Sequence, residues 1–346
     1  MARGAATAGA GLIFALLGLA GGCGGGDEPP ADGEAAASGT RQAVRVALLH
    51  PGRENDRGWN QLAYEALRGL RDRTGASVRH THTPNKSTFK SEMRDYAQRG
   101  FTLVICHGSE FVKAAREVAG DFPRTRFVVT GSGDAGGGVA TLDFRLWEAA
   151  YLCGVLAAHL VPGGPAGLIG GEDIVTVRRT MDAFANGARS VLPAYPTYPQ
   201  YVGSWDDIAR ARQTAASLIE TRGVKVIFQN ADAAALGIFQ AAEQAGVLAF
   251  GANGDQNALS PGIIPASAVI DMARAFERVL DAARRGTWRD EAVVCDLKSG
   301  LIEVVLNPAF AERIPPAARA AMDRTRSEIV AGRLDVLAAP EARSGS

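Results

Sequence analysis

The chain has 346 residues, 37 Lys plus Arg against 37 Asp plus Glu, and 47% hydrophobic residues. Balanced charge gives no bias toward polyanions, so nucleic acid is not an expected partner. Besides Cys23, the cysteines Cys106, Cys153 and Cys295 are widely separated without a C-x-x-C pair, which argues against structural zinc. Neither a Walker loop nor a G-x-S-x-G elbow is present, so the main enzymatic routes have no residues to carry them.

Residues 1–22 hold Arg3, an apolar run from Leu12 to Ala20 and the small pair Gly21-Gly22. The run is well short of the ~20 residues a bilayer requires and reads as a secretory signal peptide. Cys23 after small residues resembles a bacterial lipobox, although Ala20 stands where Leu is usual; lipidation is expected at this thiol. Residues 23–42 are rich in Gly, Pro, Ala, Asp and Glu, which cannot bury enough surface to offset ordering, and read as a flexible tether. An extracytoplasmic protein anchored to the plasma membrane as a lipoprotein is the expectation.

From Val44 an apolar strand empties into His50-Pro-Gly-Arg-Glu-Asn-Asp-Arg-Gly58, and Trp59-Asn60-Gln61 opens a helix. Ligands bind at the carboxyl ends of strands in open α/β sheets, so this turn is one wall of a small-molecule site. In the helix Trp59 to Thr74, residues Leu62, Ala66, Leu67 and Leu70 form the buried stripe and Gly75 stops it.

β-rich apolar runs begin near Val44, Ser77, Thr102 and Arg126, and again near Ala166, Thr197, Val224 and Val247. Amphipathic helices separate most of them, among them Ile208 to Arg222 with Ile208, Ala211, Ala215, Leu218 and Ile219 on one face. The alternation predicts two doubly wound parallel-sheet lobes. Later, an extended segment Ile263 to Ile270, a helix Asp271 to Arg285 and a strand-like Ala292 to Leu297 predict a return to the first lobe, hence a hinge and a cleft. The expected division is 43–142 plus 268–297 for the first lobe, 143–267 plus 298–310 for the second, and 311–346 for a C-terminal helix and tail.

Two other motifs carry less. Gly131-Ser-Gly133-Asp-Ala-Gly136 fits G-x-G-x-x-G after a strand, but a turn and a strand follow it where a dinucleotide site needs a helix N-terminus. His80-Thr-His82 places two imidazoles on one face of a strand without an obvious third ligand, which reads as a solvated edge pair. No metal and no cofactor are expected.

An ordered set of runs resembles the basic membrane protein family of extracytoplasmic solute-binding lipoproteins, which includes purine-nucleoside receptors of ABC importers. They are Asn55-Asp-Arg-Gly-Trp-Asn-Gln61, Tyr151-Leu-Cys-Gly-Val155 after Glu148-Ala-Ala, Arg179-Thr-Met-Asp-Ala-Phe-Ala-Asn-Gly-Ala-Arg189, Val202-Gly-Ser-Trp-Asp-Asp207 and Gly251-Ala-Asn-Gly-Asp-Gln256. The resemblance implies a type I periplasmic-binding-protein fold that closes on its ligand by hinge motion, a membrane permease as partner, and no catalysis. It implies Trp59 and Trp205 as two rings enclosing a base, while Trp147 and Trp288 lack motif support and count as structural.

Polar positions depart from the family. His50 stands where the nucleoside receptors commonly have Asp, with Asp56 and Asn60 nearby. The acidic position after the third strand aligns with Glu110 or Lys113, close to Ser109. Asn253 and Asp255 occupy the second-lobe motif, with Asn253 an amide in place of a carboxylate, and Ile270 replaces an expected Lys. Asp232, with Gln229 and Asn230, lies at another cleft-facing turn, where ligand contact and helix capping are equally open. The implied role is capture of a nucleoside or related heterocycle for an ABC importer; a receptor signalling to a membrane sensor and an NAD(P)-dependent enzyme are the alternatives.

Overall fold

The computed structural model describes residues 44–338. The expected signal peptide, Cys23 and the tether lie outside them. Twelve strands appear among the described residues: β1 (Arg45–His50), β2 (Ser77–His82), β3 (Leu103–His107), β4 (Arg126–Thr130), β5 (Val139–Phe144), β6 (Ala166–Gly170), β7 (Thr197–Tyr201), β8 (Val226–Asn230), β9 (Leu248–Asn253), β10 (Ala266–Ile270), β11 (Ala292–Cys295) and β12 (Ile302–Leu306). The helices are α1 (Trp59–Thr74), α2 (Phe89–Gln98), α3 (Val112–Ala119), α4 (Leu146–Leu160), α5 (Val175–Val191), α6 (Ile208–Arg222), α7 (Ala235–Ala245), α8 (Met272–Arg285) and α9 (Pro316–Val330).

These strands form two six-stranded sheets with the same winding, β2-β1-β3-β4-β5-β11 and β7-β6-β8-β9-β10-β12. All pairs are parallel except β10 with β12. In β1 the period-two alternation feeds two cores: Val46 and Leu48 join the cluster that includes α1, while Ala47 and Leu49 join the one that includes α2 and α3. A strand covered on both faces is continuously apolar, which is why Val44 to Leu49 reads as a strand at all.

The chain passes between the sheets after β5, after β10 and after β11. The crossing expected at residue 268 falls inside β10, whose register Ser267↔Gly251, Ala268↔Ala252 and Val269↔Asn253 ties the whole strand to β9. The crossing therefore comes after Ile270, where the Asp271 side chain accepts the Arg274 N–H and starts α8, which packs on α1. Beside the other crossings, Arg145 donates its N–H to the Cys295 carbonyl, and Glu148 accepts the Leu297 N–H at 2.9 Å.

Two stripes differ from expectation. In α1 the buried residues are Asn60, Ala63, Ala66, Leu67 and Leu70, so Ala63 rather than Leu62 takes the inner position. In α6 only Ala211, Ala215 and Leu218 are buried, and Ile208 is 37% exposed. Helix α7 meets Ile208 through its backbone, where a Cβ at Gly237 would strike the Ile208 carbonyl oxygen, and the side chain is left outside that contact.

Helices α4 and α5 cross at a reciprocal pair of glycines. A Cβ at Gly154 would strike the Phe184 carbonyl oxygen and one at Gly187 the Tyr151 carbonyl oxygen, both well inside the 3.0 Å that real Cβ atoms keep. The runs Tyr151–Val155 and Arg179–Arg189 are thus a packing device: each helix needs a missing side chain where the other's backbone passes.

Candidate functional site

The turn between β1 and α1 is built on Asp56. Its Oδ1 accepts the N–H groups of Gly58 (2.9 Å) and Gln61 (2.9 Å), and its Oδ2 accepts the Asn60 N–H (3.0 Å) and Asn60 Nδ2 (2.7 Å). Asn60 in turn accepts the Gly52 N–H at 3.1 Å. A helix start leaves several N–H groups without intrahelical partners, and Asp56 satisfies three of them here while Asn60 ties the loop back to Gly52. Asp56 and Asn60 are engaged within the loop they shape.

The remaining first-turn donor is satisfied from the other lobe. Trp59 N–H donates to Asp232 Oδ1 at 3.1 Å, and a Cβ at Gly58 would lie 2.7 Å from Asp232 Cα, so only glycine permits this approach. Asp232 Oδ1 also accepts from Asn253 Nδ2 at 3.2 Å, which donates as well to Asn230 Oδ1 at 3.2 Å. Behind them Gln229 Nε2 donates to Gln256 Oε1 at 2.8 Å, and Gln256 Nε2 reaches the Arg57 carbonyl at 3.5 Å. Burial and the Asp56 charge push the Asp232 carboxyl up to about 7, against the opposing pull of its two N–H donors.

Arg57, Asp232 and Asn253 are the non-glycine residues with positive φ among the described residues, at 53°, 47° and 69°. All three lie at this contact between lobes. Such conformations cost about 1–3 kcal/mol each and persist where the surroundings over-determine them, typically at ligand clamps and switch regions.

Both tryptophans hang on one short 3-10 turn, Asp232–Ala234. Trp59 is tied to it through its N–H, and Trp205 through its carbonyl, which accepts the Ala234 N–H at 2.9 Å. The Trp59 ring stacks on His107 with centroids 4.2 Å apart and planes 22° apart, and meets the Phe144 ring edge-on at 5.8 Å. Trp205 lies over Gly171, where a Cβ would collide with its ring. Each indole is half-buried.

His107 went unnoticed in the sequence, although it stands at the end of β3 as His50 does at the end of β1. Its Nε2–H donates to the Trp59 carbonyl at 2.9 Å. Its Nδ1 accepts from Thr130 Oγ1 at 2.8 Å, and Thr130 Oγ1 accepts the Gly108 N–H at 3.1 Å. Complete burial pushes the imidazole down to about 3, so it is neutral at any working pH.

The match to known proteins covers most of the described chain. Residues 43–330 fit the family described as "ABC transporter substrate-binding protein PnrA-like" (Bmp). The chain belongs to this family. It is 24% identical to a purine-binding protein of Brucella abortus over 88% of this chain and 86% of that one. It is also 24% identical to the transcriptional activator protein med of Bacillus subtilis over 85% and 88%. A solute-binding protein of an ABC transporter system from Aeropyrum pernix superposes with a TM-score of 0.76 at 18% identity, covering 87% of this chain and 94% of that one. The fold is the periplasmic-binding-protein one, and members of the family are substrate-binding proteins that work outside the cytoplasm with a small-molecule ligand and a permease. No helix among the described residues is long and apolar enough to cross a membrane.

Within that family frame, the other expected residues fall into three groups. Asp232 and Asn253 meet Trp59 directly or through one contact, as above. His50 is fully buried, but its ring is engaged inside the first lobe, with Nδ1 on the Gly52 carbonyl at 2.7 Å and Nε2 against His80 Nδ1 at 3.1 Å. Ser109, Glu110 and Asp255 are exposed, as is Lys113. Asp255 Oδ1 accepts the Asn257 N–H at 3.0 Å in a tight turn, and the neighbouring Gln256 takes the buried position instead. The glycines 131–138 lead into β5 without opening a helix, so the nicotinamide-enzyme alternative has no phosphate cradle there.

Proposed function

We propose that this protein captures a purine nucleoside or a related flat heterocycle between Trp59 and Trp205, and that lipidation of Cys23 holds it at the membrane beside its permease. The observation that carries this reading is that one half-buried indole from each lobe is fixed to the same turn, Asp232–Ala234. An indole face suits a base, and such stacking is worth ~1–3 kcal/mol per ring. The relative named as purine-binding supports the ligand class.

Polar recognition at this position falls to amides and one titratable acid. Asn230 and Asn253 carry both donors and acceptors there, Gln229 being spent on Gln256 and the Ala231 N–H, and Asp232 near neutrality presents either an acceptor or a hydroxyl donor. A site of this kind pairs ring nitrogens and exocyclic groups, and it rejects ligands that leave these groups unpaired.

Titration calorimetry of the mature chain with purine nucleosides and bases tests the reading. Trp59→Ala and Trp205→Ala are each expected to weaken binding by roughly five- to a hundredfold, in line with the stacking range, while circular dichroism stays native. Wild-type affinity in both variants would sink the aromatic clamp.

A further inference from the structure

The three chain crossings between the lobes meet at one turn, 296–301, which is closed on itself. Asp296 N–H donates to Ser299 Oγ at 2.9 Å, Ser299 N–H donates to Asp296 Oδ1 at 2.7 Å, and Ile302 N–H donates to the Asp296 carbonyl at 3.2 Å. The crossing after β10 is tied to this turn twice. Asp271 N–H donates to the Leu301 carbonyl at 2.9 Å, and the Arg274 guanidinium of α8 donates to the Gly300 carbonyl at 3.0 Å. The crossing after β5 is tied through Glu148, whose Oε2 accepts the Leu297 N–H at 2.9 Å. We propose that Glu148 is a positioning residue that joins the three crossings into one hinge, so that the lobes turn about a single axis.

The place of the carboxyl in the chain supports this role. Helix α4 runs from the crossing into the second lobe, where it packs on α5, β10 and β12, while β11 pairs with β5 in the first sheet. The Arg145 N–H on the Cys295 carbonyl, at 2.8 Å, only prolongs the β5–β11 ladder and stays within the first lobe. The bond from Glu148 leaves that ladder: it joins the first turn of α4 to the residue two beyond Cys295, so the entrance of the second lobe holds the exit of the first. Connections free of one another let two lobes slide and twist as well as rotate. Tied at one point they leave rotation, the motion that a hinge confines to a few residues.

The chemistry suits a clasp. Leu297 is 2% exposed and Glu148 9%, so the Leu297 N–H has little water to turn to once its acceptor is lost. The charged groups facing Glu148 are Asp296, Arg145 and Asp143. Burial pushes its carboxyl up to about 6, opposed by the Leu297 N–H and Arg145 and reinforced by Asp296 and Asp143. Above that pH the group is ionised, and the bond to Leu297 is of the strong, charge-assisted kind.

The test places spin labels on Gln98→Cys and Glu220→Cys, one exposed site per lobe, in the mature chain carrying Cys23→Ser, without ligand and at about pH 8. Cys106, Cys153 and Cys295 are buried and do not compete for label. Glu148→Met fills similar space without an acceptor and is expected to broaden the distribution of label-to-label distances at least about 1.5-fold. Glu148→Gln, which keeps an acceptor oxygen, and Lys298→Ala, exposed in the same turn, are expected to keep the wild-type width. Hydrogen exchange at the Leu297 amide of the wild type should be at least about a hundredfold slower than in an unstructured chain, a measurement that stands even where Glu148→Met does not fold. Wild-type width in Glu148→Met whatever its melting temperature, equal broadening in Glu148→Gln, or an unprotected Leu297 amide would each overturn the assignment.

Discussion

Replacing Asp232 with Asn isolates the charge at the contact between lobes. The amide oxygen can still accept from Trp59 N–H and Asn253 Nδ2, so the geometry survives and only the ionisation is removed. In the wild type the closed form holds the carboxyl at about 7, whereas an Asp exposed by opening titrates near about 3.9. A group whose pKa is raised in one form favours that form at low pH, and the advantage is lost as pH rises through the raised value. Closure should therefore be coupled to uptake of one proton between about pH 4 and about pH 7, and be independent of Asp232 above that.

Worked through the two titrations, the closing constant falls by about tenfold between pH 6 and pH 8. Spin labels on introduced cysteines at the exposed Gln98 of the first lobe and Glu220 of the second report the open fraction without ligand, since the free cysteines Cys106, Cys153 and Cys295 are buried. All other ionisable groups are common to both proteins, so the quantity to compare is the slope in wild type minus that in Asp232→Asn. Across that window the difference should amount to a fall of about one unit in the logarithm of the closing constant, about half a proton per pH unit on average; identical slopes would refute the buried-carboxyl argument.

Gly154→Ala and Gly187→Ala each force a Cβ against a carbonyl of the partner helix, and retreat of that backbone by roughly 1 Å costs about 1–3 kcal/mol. Calorimetric melting should fall by several degrees in both, while Gly262→Ala, with nothing near the added carbon, stays at wild type. His107→Phe keeps an aromatic face under Trp59 but takes the second partner from the Trp59 carbonyl, which stays in the helical hydrogen-bond ladder of α1, and leaves the buried Thr130 hydroxyl hydrogen without an acceptor, at a cost of about 1–3 kcal/mol. Because His107 is neutral in the fold but takes up a proton at about pH 6.5 once unfolded, wild type loses stability as pH falls below that value and the Phe variant does not, so the difference should shrink by about 2 kcal/mol between about pH 8 and about pH 5 in denaturant titrations.

The two-lobe architecture was legible because parallel strands covered on both faces must be apolar, and helix stops such as Gly75 and Gly223 mark the ends of the units. The place of Trp59 was legible in the same way, since it opens the helix that follows such a strand after an eight-residue turn, 51–58. What each acid does was not. Asp56 has the residue type and position of a ligand contact and equally those of a capping group, and only the distances to Gly58, Asn60 and Gln61 distinguish them. Asp255 carried a visible signal, since Asp-x-Asn after a strand end is a turn pattern, and the amide beside it does the buried work. The crossing near residue 268 was misplaced because the partner of β10 is set by β9, well before it in sequence, while the capping side chain of Asp271 was the local mark of the true boundary. His107 lay hidden in an apolar run because a neutral, fully buried imidazole behaves as one more core residue.

On the proposed reading, the same contact also bears on how closure would respond to a ligand. Helix α1 begins at glycine and has its first N–H satisfied only by Asp232 across the cleft, so opening the lobes exposes that donor to water rather than leaving it unpaired. A hydrogen bond to the protonated carboxyl nets about 0.5–1.5 kcal/mol, and the strain of the positive-φ residues Arg57, Asp232 and Asn253 opposes it. Contacts between the lobes of that size leave open and closed forms within reach of each other. Only a ligand with differential affinity can then shift the balance, and one that lies against Trp59 and Trp205 together gains its second stacking face in the closed form alone. On that reading, flatness with two usable faces is therefore the property the site selects first, and the amides around Asp232 choose among the flat ligands that remain.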